Sequence, residues 1–486
     1  MNRSILPVLL ALGLATGGCG SGGQRKDDAP VVVSAIGAEA RAGDPSAGPL
    51  DPAERVLMGA TAQGLVRFDA TGQIEPGLAE RWIVIDDGRS YIFRLREAWW
   101  PDGSPVTAAQ VVRVLRRAAA SGSRNALAPF LAVIDEIVEM TPTVIEVRLK
   151  RPRPDLLKLF AQPELAVFRA RTLDGSGPFF ARAMTSGLLL TPAPDPQRQG
   201  NATPEPEETV RLQGERAALA IARFKAGESD LVLGGTFVDW PILDPARLAP
   251  ANIRLDQPNG LFGLAVIARE GFLADPANRA AIAMAIDRVA LLREVQPDWV
   301  PVETILPGQL DSAGPPAQPG WAGLPIEARR DAASARVAAW RRQHPEPLVL
   351  RFALPAGPGA TLVWAHLAEA MLQIGIQPQR VGPEASAELR LIDAVAPYDS
   401  GRWFLHTACI RCSDETAGLI LAGRDAADLA ARARRIAEAD ASLTADSAYI
   451  PIAQPLRWSL VALRLDAWQR NARAWHPLNH LRNETE

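Results

Sequence analysis

Four groups able to bind metal or change redox state stand within nine residues: His406, Cys409, Cys412 and Asp414. Thiolates and neutral imidazoles are ordinary ligands of zinc and nickel, so a metal site can be built on this spacing. Two cysteines three apart can equally close a local disulfide or stay as buried thiols. No second ligand pair of matching spacing occurs elsewhere in the chain. A Cys409–Cys412 disulfide and no metal is the expectation, because such pairs are usually oxidised outside the cytoplasm. Metal and free thiols stay open as alternatives.

The patterns of catalysis are missing. His476 and His480 are four apart, but Pro477 stands where a zinc-protease motif needs its glutamate. No Gly-x-Ser-x-Gly elbow and no phosphate-cradling Gly-rich loop occurs. No enzymatic activity and no cofactor is expected.

Other residues suit capture of a solute. Arg402 stands beside Trp403 and Phe404, and a guanidinium next to aromatics fits a carboxylate or a flat ligand. The same aromatics can instead be core. Phe237, Asp239 and Trp240 follow Gly234-Gly235, where the chain leaves a buried strand. Ligands of open α/β sheets bind at the carboxyl ends of strands. Phe237 and Trp240 are therefore candidates for lining a cleft.

Strands and helices must position these groups. Residues 30–36 are apolar and read as a buried strand. Residues 82–85 and 91–95 alternate around Asp86-Asp87-Gly88 and read as a hairpin, since tight turns need positive φ. Thr107 opens a helix with Gln110 three residues on, a capping box, and Ser121-Gly122 ends it. Residues 143–149 alternate as a strand; 214–224 read as a helix and 230–233 as a buried strand. Asp275-Pro276 starts a helix on which Ile282, Ile286, Val289 and Leu292 share one face. Residues 348–354, 362–374 and 376–381 read as strand, helix, strand, which implies a parallel pair with a right-handed crossover. Residues 426–442 read as a further helix.

Composition sets outer bounds. A chain of 486 residues has room for two or three domains. At 48% hydrophobic and 22% charged it is ordinary globular material. Net charge is −3 with no Lys-rich block, which excludes nucleic acid as a partner. Prolines concentrate in residues 192–206 and 301–325, the densest connecting stretches.

The front of the chain reads as an address. Met1-Asn2-Arg3 is positive, residues 5–14 are apolar, and Thr16-Gly17-Gly18 precedes Cys19. The apolar run is far short of the roughly twenty residues that span a bilayer, and the pattern is that of a secretory signal peptide. The small residues before Cys19 resemble a bacterial lipoprotein cleavage box. That resemblance implies that Cys19 becomes the lipid-bearing first residue, with an ordinary cut near Gly18 as the alternative. Residues 20–29 then read as a flexible tether. The expected location is the periplasm, with a lipid anchor in a membrane.

Residues 63–112 carry the strongest pattern. They contain Leu65-Val66, Asp69, Gly72, Pro76-Gly77-Leu78-Ala79, Trp82, Asp87-Gly88, Phe93-x-Leu95-Arg96, Asp102-Gly103-x-Pro105 and Thr107-Ala108. Farther on stand Gly175-x-Gly177-Pro178, Gly227-Glu228-x-Asp230, and Arg279 with Ala285-Ile286-Asp287-Arg288. This order resembles bacterial extracellular solute-binding proteins of the oligopeptide, dipeptide and nickel type, the receptors of ABC importers. The resemblance implies a two-lobed α/β fold of the periplasmic-binding-protein kind, large subclass, with an additional small α+β domain. Lobe I would comprise residues 30–50, 150–255 and 455–486, the small domain 51–149, and lobe II 256–454. Residues 449–455 would be the strand returning from lobe II to lobe I. The implied partners are a small-molecule or peptide ligand and ABC permease subunits, met by a monomer. In the peptide-binding branch an aspartate precedes a tyrosine and helps hold the peptide amino group. Here Pro397 precedes Tyr398, and Asp393 or Asp399 would have to supply the charge. Ser34, on the strand whose end faces the family's cleft, is a further expected ligand contact. Trp99 and Trp100 fall where the family pattern implies a structural role. A member that kept the fold but serves as a sensor or envelope interaction protein is the second reading.

Overall fold

The computed structural model describes residues 27–194 and 204–482. Cys19, the signal peptide and most of the tether lie outside the described residues. Among the described residues no helix is long and apolar enough to cross a membrane.

Lobe I is built on a seven-stranded sheet. Its spatial order is Ile253–Asp256, Arg457–Val461, Leu231–Thr236, Val31–Ile36, Val210–Glu215, Leu188–Pro192 and Phe179–Ala183. Val31–Ile36 sits at the centre and runs parallel to both neighbours. Its β-branched run is buried on both faces, as a central parallel strand requires. Val31, Val33 and Ala35 pack with Leu212, Leu233 and Val461 on one face. On the other face Val232, Trp458 and Leu460 meet Ala220 and Ile221 of helix Ala217–Lys225. A buried ion pair between Asp230 and Arg464 (2.8 Å) ties the chain's last segment to this sheet.

Helix Pro52–Thr61 also packs on lobe I, through Ala53, Leu57 and Ala60. The boundary at residue 51 placed it in the small domain. Its Ala53, Leu57 and Ala60 cover the large sheet, while Met58 joins a cluster that Val114 of the small domain also touches.

The small domain carries a four-stranded antiparallel sheet in the order Ala79–Ile85, Ser90–Leu95, Val144–Leu149, Ile134–Thr141. The Asp86–Gly88 turn takes positive φ at all three residues. Helix Ala108–Ala119 covers one face, and Thr107 and Gln110 form its capping box. Trp100 is buried and its Nε1 donates to Gln110 Oε1 at 3.0 Å, so the cap and the core are joined.

Lobe II holds a five-stranded sheet in the order Gln377–Val381, Val349–Ala353, Leu389–Val395, Gly260–Val266, Tyr449–Ala453. Val349–Ala353 and Gln377–Val381 are parallel, with helix Pro358–Gln373 as their crossover. Beyond the sheet, helices Gly401–Ala408, Asp414–Asp425 and Leu429–Asp446 share one apolar cluster with the small domain.

The helix expected to run through Ile282, Ile286, Val289 and Leu292 is broken in two: Pro276–Ala285 and Arg288–Val295. Asp287 caps the second helix by accepting from Ala290 N. The buried Arg288 guanidinium holds the break open, donating to the carbonyls of Ala283, Ile286 and Pro451. Val289 is accordingly turned outward and 52% exposed.

Candidate functional site

The chain passes between the lobes at residues 256–260 and 453–457, and both crossings are tightly packed. Gly260 sits between Ala394 O and the Pro455 ring, where any side chain would collide. Trp299 Nε1 donates to Gln454 O at 2.6 Å. Asp393, at the end of a lobe II strand, pairs with Arg457, at the start of a lobe I strand. Burial pushes the Asp393 carboxyl up, against the pull of that guanidinium.

Lobe I reaches into lobe II through the turn after Leu231–Thr236. Phe237 lies 4.9 Å from Phe262 and 6.1 Å from Trp299, ring to ring, inside the lobe II core. Val238 O accepts from Gly359 N at 2.8 Å, the first turn of helix Pro358–Gln373. Trp240 is half-buried and touches the apolar clusters of both lobes.

On the lobe II side, Asp399 accepts from Arg473 at 2.5 Å and from Lys158, both in lobe I. Burial would raise this carboxyl, but the bonds from Arg473 and Lys158 outweigh it and hold it low. Gln162 Nε2 donates to Pro397 O at 2.7 Å. Arg402 lies over the Phe130 ring at 5.4 Å and donates to Pro129 O. Its Nε is buried and has no partner. Trp403 meets Phe404 edge to face at 4.9 Å.

Asp399, Arg402 and Trp403 thus gather around the start of one helix, with Phe237 and Trp240 on a separate wall and Asp393 at the crossing. Ser34 stands apart. Its hydroxyl donates to Glu215 Oε1 at 2.5 Å within the lobe I sheet, and it is 1% exposed. Ser34, Phe237 and Trp403 were expected on a cleft surface but are taken up by packing. Phe237, just past the end of its strand, is covered by the lobe II core, whereas Ser34 is held within its own sheet and Trp403 within a helix.

Cys409 and Cys412 are joined by a disulfide, with Cα atoms 5.1 Å apart. His406 meets the Phe130 ring edge to face at 5.6 Å. Burial and the Arg402 charge hold its pKa below the ordinary imidazole value. Among the described residues no three His, Cys, Asp or Glu side chains converge as a metal site.

A cavity of about 250 Å³ opens between the lobes beside Tyr398. Arg153, Pro154, Asp155 and Leu156 form one wall; Asp311, Ser312, Ser400, Leu429 and Arg432 form the other. Pro154 and Leu429 are exposed and mark its mouth. Asp311 is saturated: it accepts from Ser400 Oγ, Gly401 N and both Nε and Nη2 of Arg432. Arg153 donates to the carbonyls of Pro152 and Arg424. Burial, then the charges of Arg432 and Arg402, lower its pKa to about 9. Asp155 faces the same space, and the charges of Lys158 and Arg432 both act on it. Burial, then Asp311, raise its carboxyl. The sequence reading missed this set. Its only local trace is Arg153-Pro154-Asp155, a proline-led helical start with charge on both sides.

The cavity, the paired crossings and the two helix-covered sheets define a two-lobed α/β protein with a concave space between its lobes. Comparison with known proteins agrees. The family described as bacterial extracellular solute-binding proteins, family 5 Middle, matches residues 73–379. The periplasmic oligopeptide-binding protein OppA of Salmonella typhimurium is 25% identical over 329 residues, 60% of this chain and 59% of that protein. Haemophilus influenzae OppA, solved in complex with RPPGFSPFR, has a TM-score of 0.77 at 17% identity, covering 93% of this chain and 99% of that chain. The Escherichia coli murein tripeptide binding protein MppA has a TM-score of 0.78 at 18% identity, covering 93% and 98%. These structural likenesses show the fold. The sequence matches span less than two thirds of the length of the first curated relatives. The chain belongs to the bacterial extracellular solute-binding proteins of family 5.

Proposed function

We propose that this protein is an extracytoplasmic receptor that captures a small solute between its lobes and delivers it to an ABC permease. The family match over residues 73–379 is the observation that carries this reading. A concave site lined by converging charged and aromatic groups supports it, since solute pockets have that character. Capture shifts the lobes only as far as the solute prefers the closed state. The protein makes and breaks no covalent bonds in this role. It works as a monomer, held at a membrane by lipid on Cys19.

Peptide capture in the family's usual manner is disfavoured by Pro397, which stands in place of an amine-binding aspartate. The same substitution favours a second reading, a sensor that kept the fold without transport. Mass spectrometry of material purified natively identifies any retained solute, and a thermal-shift screen of peptides, sugars, opines and metal chelates extends the search. A solute that raises the melting temperature and is imported only when the gene is intact supports the receptor. A solute that binds but is not imported supports the sensor. Turnover of a screened compound overturns both.

A further inference from the structure

Phe130 projects from the small domain into lobe II. It lies on the one-turn helix Ala128–Leu131 and is 6% exposed. Tyr398 meets its ring edge to face at 5.7 Å and His406 at 5.6 Å, while the Arg402 guanidinium lies over it at 5.4 Å. These three form a socket on helix Gly401–Ala408 and the turn before it. Arg402 Nη1 also donates to Pro129 O, so the backbone beside the ring is held as well. Phe130, Leu131 and Phe160 share one apolar cluster with Trp403 and Phe404 of lobe II.

Polar contacts flank this plug. Asp399 accepts from Lys158 and Arg473, and Gln162 donates to Pro397 O. Arg151 Nε donates to Asp425 O at 3.2 Å, and Arg153 to Arg424 O on the same helix end. Each contact joins lobe I or the small domain to lobe II, and each uses groups of the chain alone. The aromatic part dominates. Burying a whole phenylalanine ring outweighs an ion pair such as Lys158–Asp399, whose side chains are 29% and 28% exposed and so partly screened. We propose that Phe130 and its socket are a latch that holds the lobes shut by themselves, before a solute is bound. Tyr398 gives the latch its reach, because it meets Phe130 and also lines the interlobe cavity. Entry to the cavity then waits for the latch to release. A solute binds only the open fraction of molecules, and its apparent affinity is reduced by that fraction. Closure of the lobes no longer reports that the site is filled. The assignment goes beyond the receptor reading and does not depend on it.

Small-angle scattering and amide hydrogen exchange on the full chain test the latch. The protein is unfolded and refolded to strip any retained solute, and native mass spectrometry confirms the solute-free mass. Wild type is expected to scatter as the closed form. Phe130→Ala is expected to enlarge the radius of gyration. It should also speed amide exchange in helix Gly401–Ala408 at least about tenfold, while strand Gly260–Val266 keeps its protection. Lys158→Glu sets like charge against Asp399 without touching the core, and should move both readouts the same way by less. Solute-free wild type that scatters as an open form overturns the latch. So does an unchanged radius in Phe130→Ala. If Phe130→Ala loses protection in both elements, Lys158→Glu decides, and an unchanged radius there overturns the latch. The receptor reading is tested separately, by solute import, and survives each of these failures.

Discussion

Arg457 Nη1 donates to both carboxylate oxygens of Asp393, at 2.8 and 3.0 Å, across the crossing between the lobes. Both side chains are mostly buried, at 17% and 16% exposure. Removing one partner leaves the other as an uncompensated charge. Arg457→Met is expected to cost about 3 kcal/mol at neutral pH in urea unfolding. The Asp393 carboxyl is already raised by burial and rises further without Arg457. The loss should therefore shrink as pH falls and the carboxyl takes up its proton. A penalty that is the same at pH 7 and pH 4 would count against this account.

Gly359 is where the backbone of lobe II approaches the Phe237–Val238 turn of lobe I. A Cβ there would overlap Phe237 O. Gly359→Ala is expected to destabilise the protein by roughly 2 kcal/mol and to unseat the contact between lobes. Small-angle scattering should then report a larger radius of gyration. An unchanged radius with unchanged stability would show that the contact does not hold the lobes.

Asp440 is 1% exposed, and burial raises its pKa to about 6. Oδ2 accepts from Ala317 N at 2.8 Å, while Oδ1 has no partner. A folded value above the unfolded one gives stability that is complete below the unfolded pKa. It is lost as pH rises through the folded pKa. Wild-type stability should fall by about 2 kcal/mol between pH 4 and pH 7 on this account. Asp440→Asn should flatten that dependence in chemical denaturation across the same range.

The Cys409–Cys412 disulfide closes a very short loop. By the chain-entropy argument so short a loop contributes only about 2 kcal/mol. The double substitution Cys409→Ser, Cys412→Ser is expected to fold and to lower the melting temperature modestly. Adding a reductant should lower the wild type to the same point and leave the variant unmoved.

Local signals in the sequence are matched by local structure. The Thr107–Gln110 capping box and the Asp275 cap need only residues within one turn, and both are present. The break at Asp287 was illegible because apolar spacing continues through it. What breaks the helix is a guanidinium reaching Pro451 O, a residue 163 positions away. The site was legible in the same uneven way. Asp393 and Asp399 stand out beside Tyr398, but their partners lie 64, 74 and 241 positions away. The set of Asp155, Asp311 and Arg432 has no common pattern, since three separate elements bring it together only after folding.

Pro397 has a last consequence. Its nitrogen bears no hydrogen, and its carbonyl is engaged by Gln162. An extended chain lying alongside as an added strand would meet a position with no N–H to donate and a carbonyl already bonded once. A strand added here would therefore lack a main-chain donor at this position whatever its own sequence.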